Sequence, residues 1–142
     1  MSSIALVYWS GTGNTQMMAE SMADVLEEYD SELIFEYVDD ADINLVNEKD
    51  LIILGCPAMT GETIEEFEFR PFFDEIKPHL NGKKVILFGS YDWGGGEWLN
   101  SWTEEVSEQG GEVIKTFKIQ WDPQEDQLEV LQNELKTTLD EM

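Results

Sequence analysis

Short apolar runs alternate with stretches of helical spacing along the whole chain. Strands are expected at residues 3–8 (Ile4-Ala5-Leu6-Val7-Tyr8), 33–38, 51–54 (Leu51-Ile52-Ile53-Leu54), 85–88 (Val85-Ile86-Leu87-Phe88) and 112–119. The third and fourth carry no polar interruption, which is how strands read when both faces of a sheet are covered. Between the runs lie helical patterns. Met18, Met22, Val25, Leu26 and Tyr29 recur at helical spacing and predict a helix over 13–28. Pro71 is placed to open a helix at its first turn. Another helix is predicted from the end of a glycine-rich stretch at 90–96 to about residue 109, where Gly110-Gly111 permits positive φ and stops it. Asp122-Pro123 starts a last helix, with Leu128, Leu131, Leu135 and Leu139 as its buried stripe. Asp39, Asp40, Asp42 and Asn44 read as a polar connection, Gly55 to Arg70 as a long loop, and Asn81-Gly82 as a turn.

Strands alternating with helices imply a parallel α/β sheet with right-handed crossovers. Ligands on such sheets bind beyond the carboxyl ends of the strands, where the strand order reverses. The loops after strands one, three and four share that edge and have unusual compositions, so they imply one site.

At 142 residues and 42% hydrophobic content the chain is expected to form a single domain with a core of its own. No apolar run is long enough for a membrane span, and the first residues lead straight into a strand with no export signal. A lone cysteine, Cys56, cannot form an internal disulfide, and together these features suggest a cytoplasmic protein. The 31 acidic residues against 8 basic ones give a formal charge of −23. That disfavours nucleic acid and anionic membrane surfaces, and it suits a protein partner with a basic patch, met in a salt-sensitive encounter. Solubility or salt tolerance is the alternative reading of the charge. His79, the only histidine, lies away from the three loops, and no cluster has metal-ligand spacing, so neither a catalytic triad nor a metal site is expected.

The first loop, Tyr8-Trp9-Ser10-Gly11-Thr12-Gly13-Asn14-Thr15, joins a strand to a helix, which is a natural cradle for a phosphate. Gln16 stands where a dinucleotide fold would place its third glycine, and the Gly-Lys-Ser/Thr of a nucleoside-triphosphate loop is missing. With no lysine or arginine present, an anion would be held by Ser10, Thr12 and Thr15 hydroxyls, the Asn14 amide and backbone N–H groups around Gly11 and Gly13. Such neutral donors suit a phosphate that is never transferred. Ordinary Ser/Thr helix capping is the bland alternative.

This loop, followed by Leu54-Gly55-Cys56-Pro57-Ala58-Met59 and Phe88-Gly89-Ser90-Tyr91-Asp92-Trp93-Gly94, resembles the three cofactor loops of flavodoxins, the short-chain ones in particular. The resemblance covers nearly the whole chain. It implies a three-layer α/β/α sandwich with a five-stranded parallel sheet in the order 2-1-3-4-5, and a non-covalently bound FMN. By that resemblance Pro57, Ala58, Met59, Thr60, Gly61 and Glu62 form the second cofactor loop, with Met59 against one flavin face and Glu62 reaching the N3–H edge. Ser90, Tyr91, Asp92, Trp93 and Gly94 form the third, with Trp93 covering the other face. Gln120 and Trp121, at the same sheet edge, are weaker candidates for flavin contact. Trp98 and Trp102 on the following helix are expected to pack, and Cys56 to be buried beside the site.

Thr60-Gly61 departs from the family pattern of glycine followed by an acidic or small residue. Gly61 suits the second central position of a type II turn, whereas β-branched Thr60 resists the positive φ that type II′ needs at the first. This order is expected to bias the turn toward the form in which a carbonyl accepts from the reduced flavin. The run Glu62, Glu65, Glu66, Glu68 with Phe67 and Phe69 reads either as an acidic docking rim or as a solvated helix face over core aromatics. The function implied is a low-potential one-electron carrier without substrate turnover, monomeric, serving reductases and ferredoxin-type donors or acceptors with basic docking patches. The alternatives are an FMN-dependent NAD(P)H or quinone-type reductase, and a dedicated flavoprotein activator of one metalloenzyme.

Overall fold

In the computed structural model, which describes residues 3–142, strands and helices alternate: β1 (Ile4–Tyr8), α1 (Asn14–Tyr29), β2 (Ile34–Tyr37), α2 (Asn44–Glu48), β3 (Leu51–Gly55), α3 (Phe69–Ile76), β4 (Lys84–Tyr91), α4 (Glu97–Glu108), β5 (Glu112–Gln120) and α5 (Glu125–Asp140). All strand pairs are parallel, in the order β2-β1-β3-β4-β5. The order therefore reverses between β1 and β3.

Successive strand residues point to opposite faces, and the core divides accordingly. Ala5, Val7, Ile52, Leu54, Val85 and Leu87 pack beneath Phe69, Phe73, Trp98, Trp102 and Val106 of α3 and α4. Ile4, Leu6, Ile53, Ile86 and Phe88 pack beneath Met18, Met22 and Leu26 of α1 and Leu131 and Leu135 of α5. Two helical layers thus cover the sheet, and the expected stripes of α1 and α5 are the residues that do it. Tyr29, at the end of the α1 stripe, and Leu128, at the edge of the α5 stripe, are only partly buried.

Four details differ from the sequence expectation. Residues 44–48 form a short helix where a polar connection was expected, started by the Asp42 carboxylate accepting the Asn44 N–H at 2.9 Å. β4 continues through Ser90 and Tyr91, which pair with Ile119 and Gln120 of β5 instead of lying in a loop. α3 begins at Phe69, two residues before Pro71, whose missing N–H is still harmless in the first turn. The last helix begins at Glu125, beyond Asp122-Pro123, and Gln127 Oε1 accepts the Gln124 N–H at 3.0 Å to close its first turn. Trp98 and Trp102 are core residues, the latter edge-on to Phe69 and Phe73. A bidentate Arg70–Glu105 pair (2.7 and 3.0 Å) links α3 to α4.

Candidate functional site

The first loop leaves β1 with the Trp9 N–H donating to the Gly55 carbonyl of β3 at 2.9 Å. Tyr37, at the end of β2, clamps the next residue: its hydroxyl accepts the Ser10 N–H at 3.3 Å and donates to the Ser10 carbonyl at 3.1 Å. Burial pushes the Tyr37 hydroxyl above its usual titration range, so it remains a donor. Ser10 Oγ accepts the N–H groups of Gly13 (3.1 Å) and Gln16 (3.3 Å), curling the loop back over the start of α1. Gly13 takes φ +100°, which a residue with a side chain resists. The N–H groups of Gly11, Thr12, Asn14 and Thr15 meet no acceptor among the described residues, and the dipole of a 16-residue helix lies behind them. That is the donor set an uncharged phosphate cradle requires.

Two of the expected phosphate donors are already engaged. Thr15 is buried, its hydroxyl 3.0 Å from Ser90 Oγ and accepting the Ser90 N–H at 3.2 Å, so this pair ties α1 to β4. The Asn14 amide donates to Asp122 at 3.2 Å. Thr12 is exposed, and half-buried Ser10 keeps its O–H to donate while its oxygen accepts the two N–H groups.

The second loop extends the sheet before it turns. Cys56 and Ala58 N–H groups donate to the carbonyls of Phe88 and Ser90, each at 3.0 Å. Met59 and Thr63 then bridge, and the Glu62 N–H closes on the Met59 carbonyl at 3.0 Å. Gly61 has φ +89° and Thr60 is not in the positive region, so Met59-Thr60-Gly61-Glu62 is a type II turn. Glu62 itself has φ +57°. Its Oε2 accepts the Trp98 N–H at the start of α4 at 3.0 Å, and its Oε1 lies against Gly94, where a side chain would collide with it. The acid is thus tethered to a helix N-terminus by one oxygen.

Below the turn, Glu65 is buried and its carboxylate accepts three backbone N–H groups: Phe67 (2.8 Å), Glu68 (2.7 Å) and Phe69 (2.8 Å). The acidic run is therefore neither of the two alternatives throughout. Glu65 and Phe69 belong to the interior, whereas Phe67 is 86% exposed with Glu66 and Glu68 beside it. Cys56 is fully buried, and burial drives its thiol far above the usual range. Alkylation of Cys56 should therefore be about a hundredfold or more slower in the native protein than in denaturant, as a quench-and-mass measurement would show.

The third loop leaves β4 at Tyr91, whose ring lies 5.5 Å from that of Trp98. Asp92, Trp93 and Gly94 are exposed, Trp93 to 89%. The Trp93 ring meets the Trp121 ring edge-on, with centroids 4.7 Å apart and planes at 89°. The Trp121 N–H donates to the Tyr91 carbonyl at 2.8 Å and the Gln120 amide to the Asp92 carbonyl at 2.8 Å. At the start of α4, N–H groups of Glu97 and Gly95 hold the Glu97 carboxyl below its ordinary range.

Between these loops lie two adjoining cavities. One, of about 230 Å³, is bounded by Trp9, Gly11 and Thr12 on one side and by the 57–60 and 90–92 segments on the other. The next, of about 430 Å³, lies between Met59-Thr60-Gly61-Glu62 and Asp92-Trp93-Gly94. The structure thus brings the second and third loops and the tip of the first around one cleft. Trp9 stood in the first loop with no role assigned to it, and Tyr37 was absent from the sequence-based site. Tyr37 was findable, since β2 beside β1 pairs it with Tyr8. A groove of about 390 Å³ between β5 and α5 shares no residue with this site.

A parallel sheet with this strand order and a glycine-rich strand-to-helix loop at its reversal point defines a doubly wound α/β protein, a class that holds nucleotides at that edge. The chain belongs to the flavodoxin family: the Flavodoxin family model matches residues 6–132. It is 42% identical to the flavodoxin of Megasphaera elsdenii over 113 residues, covering 80% of this chain and 82% of that one. It is 45% identical to the flavodoxin of Clostridium beijerinckii over 111 residues, covering 78% and 80%. The solution structure of two-electron reduced M. elsdenii flavodoxin superposes with a TM-score of 0.83 at 37% identity, over 94% of this chain and 98% of that one. Oxidised Flavodoxin 2 from Bacillus cereus gives 0.84 at 26% identity, over 99% of both. Flavodoxins bind FMN and carry electrons to redox partners rather than turning over substrates. Among the described residues, no helix is long and apolar enough to cross a membrane and no cluster of three His, Cys, Asp or Glu could hold a metal ion.

Proposed function

We propose that the protein is a low-potential, one-electron carrier that seats FMN between Met59 and Trp93 and works as a cytoplasmic monomer between redox enzymes with basic docking faces. The observation that carries this reading is the continuity of the cleft: free N–H donors of the first loop at one end, and a thioether and an uncovered indole at the other. FMN supplies the reversible uptake and release of single electrons. The protein's own residues supply the rest. Ser10, Gly11, Thr12, Gly13, Asn14 and Thr15 shape the phosphate end, through N–H groups and the Ser10 and Thr12 hydroxyls. Pro57 and Ala58 line the ring end, with Tyr91 and Ser90 as its base. Met59 and Trp93 present polarisable faces to the ring and exclude water. Glu62, tethered through Oε2, offers Oε1 as an acceptor for a ring N–H. Glu62 and Asp92 also place negative charge near the ring, which opposes addition of the second electron and lowers that potential.

Titration of the protein with FMN, followed by flavin fluorescence, should give one tightly held flavin per chain, and failure to take up FMN would end this reading. Trp93→Ala should weaken FMN binding by about tenfold to a hundredfold, given that stacking on an aromatic side chain contributes about 1–3 kcal/mol. Gly61→Ala addresses the turn. Alanine at φ +89° costs about 1–2 kcal/mol, which disfavours the type II turn. Since 59 mV corresponds to about 1.4 kcal/mol for one electron, a redox titration should show the first potential lowered by about 60 mV. An unchanged value would refute the role of this turn.

A further inference from the structure

Trp121 is held in the left-handed region, at φ +62°, immediately after the last residue of β5. A bulky residue resists that conformation, whereas asparagine or glycine adopts it at little cost. An indole kept there against its own backbone preference points to a contact that requires the ring. The contact in the structure is the perpendicular approach to Trp93, at 4.7 Å between centroids. Edge-to-face contact is a favoured aromatic geometry, and it fixes the plane of a Trp93 ring that is otherwise 89% exposed.

The backbone around Trp121 is fastened to the same loop. The Trp121 N–H donates to the Tyr91 carbonyl and the Gln120 amide to the Asp92 carbonyl, both at 2.8 Å, so the two residues before Trp93 are gripped from β5. Asp122 accepts the Asn14 amide at 3.2 Å, which joins this tripeptide to the phosphate loop as well. We propose that Gln120-Trp121-Asp122 is a clasp that spans the two ends of the cofactor cleft, with Trp121 as the positioning residue that orients Trp93 before flavin arrives. This rests on the flavin reading above and adds to it a fourth segment, on β5 and its exit. The gain is preorganisation: a ring held in the stacking plane loses less freedom when the cofactor binds.

Trp121→Asn is the informative variant, because asparagine tolerates the backbone while removing the indole. The apo protein should melt at the same temperature as the parent or higher, while the FMN dissociation constant rises by about three- to tenfold, the range set by aromatic-pair energies. Trp121→Phe should restore most of the affinity. If Trp121 acts through Trp93, then Trp121→Asn should change affinity less than about twofold in a Trp93→Ala background. In apo protein labelled with 5-fluorotryptophan, the Trp93 fluorine resonance, assigned by its loss in Trp93→Phe, should shift in Trp121→Asn. Equal penalties in both backgrounds, parental FMN affinity in Trp121→Asn, or an unmoved Trp93 resonance would each overturn the clasp. A parent protein that takes up no FMN would instead remove the flavin reading, and with it the clasp as a cofactor device.

Discussion

Gly89→Ala should cost about 3 kcal/mol or more of stability and weaken the site with it, measured as a lower urea midpoint at unchanged slope and poorer FMN retention. A methyl group on Gly89 would overlap the Cys56 carbonyl oxygen and crowd the Trp98 ring, which already stands 3.1 Å from where it would sit. The Cys56 carbonyl has nowhere easy to go. It accepts the buried Trp98 Nε1–H at 3.1 Å, and the Cys56 N–H is paired with Phe88 on the neighbouring strand. Moving the carbonyl strands a buried indole donor, at about 1–3 kcal/mol, and forces packing strain of about the same size. The segment that begins at Cys56 carries Pro57 through Glu62, so displacement propagates into the cleft. Gly82→Ala is the control. Gly82, unlike Gly89, has positive φ, and it meets nothing within 4 Å, so only the backbone cost of about 1–2 kcal/mol should appear. Equal losses in the two variants would contradict this account.

Glu65→Ala should be of similar size, about 3–5 kcal/mol, because it removes the acceptor of three N–H groups at once in a buried turn. Phe67, Glu68 and Phe69 would lose the carboxylate that folds them into the start of α3, and Phe69 is part of the core. Glu65→Gln separates charge from shape. Its remaining carbonyl oxygen can keep the Glu68 and Phe69 bonds, so its loss should be about 1–2 kcal/mol. Calorimetry of the two variants measures the difference. A Glu65→Ala protein as stable as Glu65→Gln would show that the carboxylate is not what organises this turn.

Such dependence on one acid explains where sequence reasoning reaches and where it stops. The sheet was readable because Leu51-Ile52-Ile53-Leu54 and Val85-Ile86-Leu87-Phe88 leave no polar face to expose, and both strands are buried throughout. The cleft was readable because glycine, proline and small polar residues follow three strands on one edge. Glu65 was not, since nothing in Glu62, Glu65, Glu66 and Glu68 marks which acid turns inward; that is decided by N–H groups brought to it in three dimensions. The reach of β4 through Ser90-Tyr91 was hidden for a similar reason. Gly89-Ser90-Tyr91-Asp92 has the composition of a loop, and its pairing with β5 and with Ala58 overrides that local preference. Trp121 showed only its position at the sheet edge; its left-handed backbone and its approach to Trp93 depend on the folded chain.

The eight cations are unevenly placed along the parallel sheet. Lys83 and Lys84 stand where β4 begins, and the Lys83 ammonium donates to the Lys49 carbonyl at 2.8 Å just before β3, so three of the eight cations gather at the end opposite the cleft. Glu62, Asp92 and Asp122 stand at the other end, with Lys118 as the nearby cation, tucked beside Gly96 and over the Tyr91 ring. Glu48 and Asp50 flank Lys49, Glu112 pairs with Lys84 and Asp30 caps Ile4, so the end opposite the cleft holds acids as well as cations. A cationic surface is therefore turned toward the cleft by the local acids around it, which act only within about 8–10 Å, the screening distance at physiological salt.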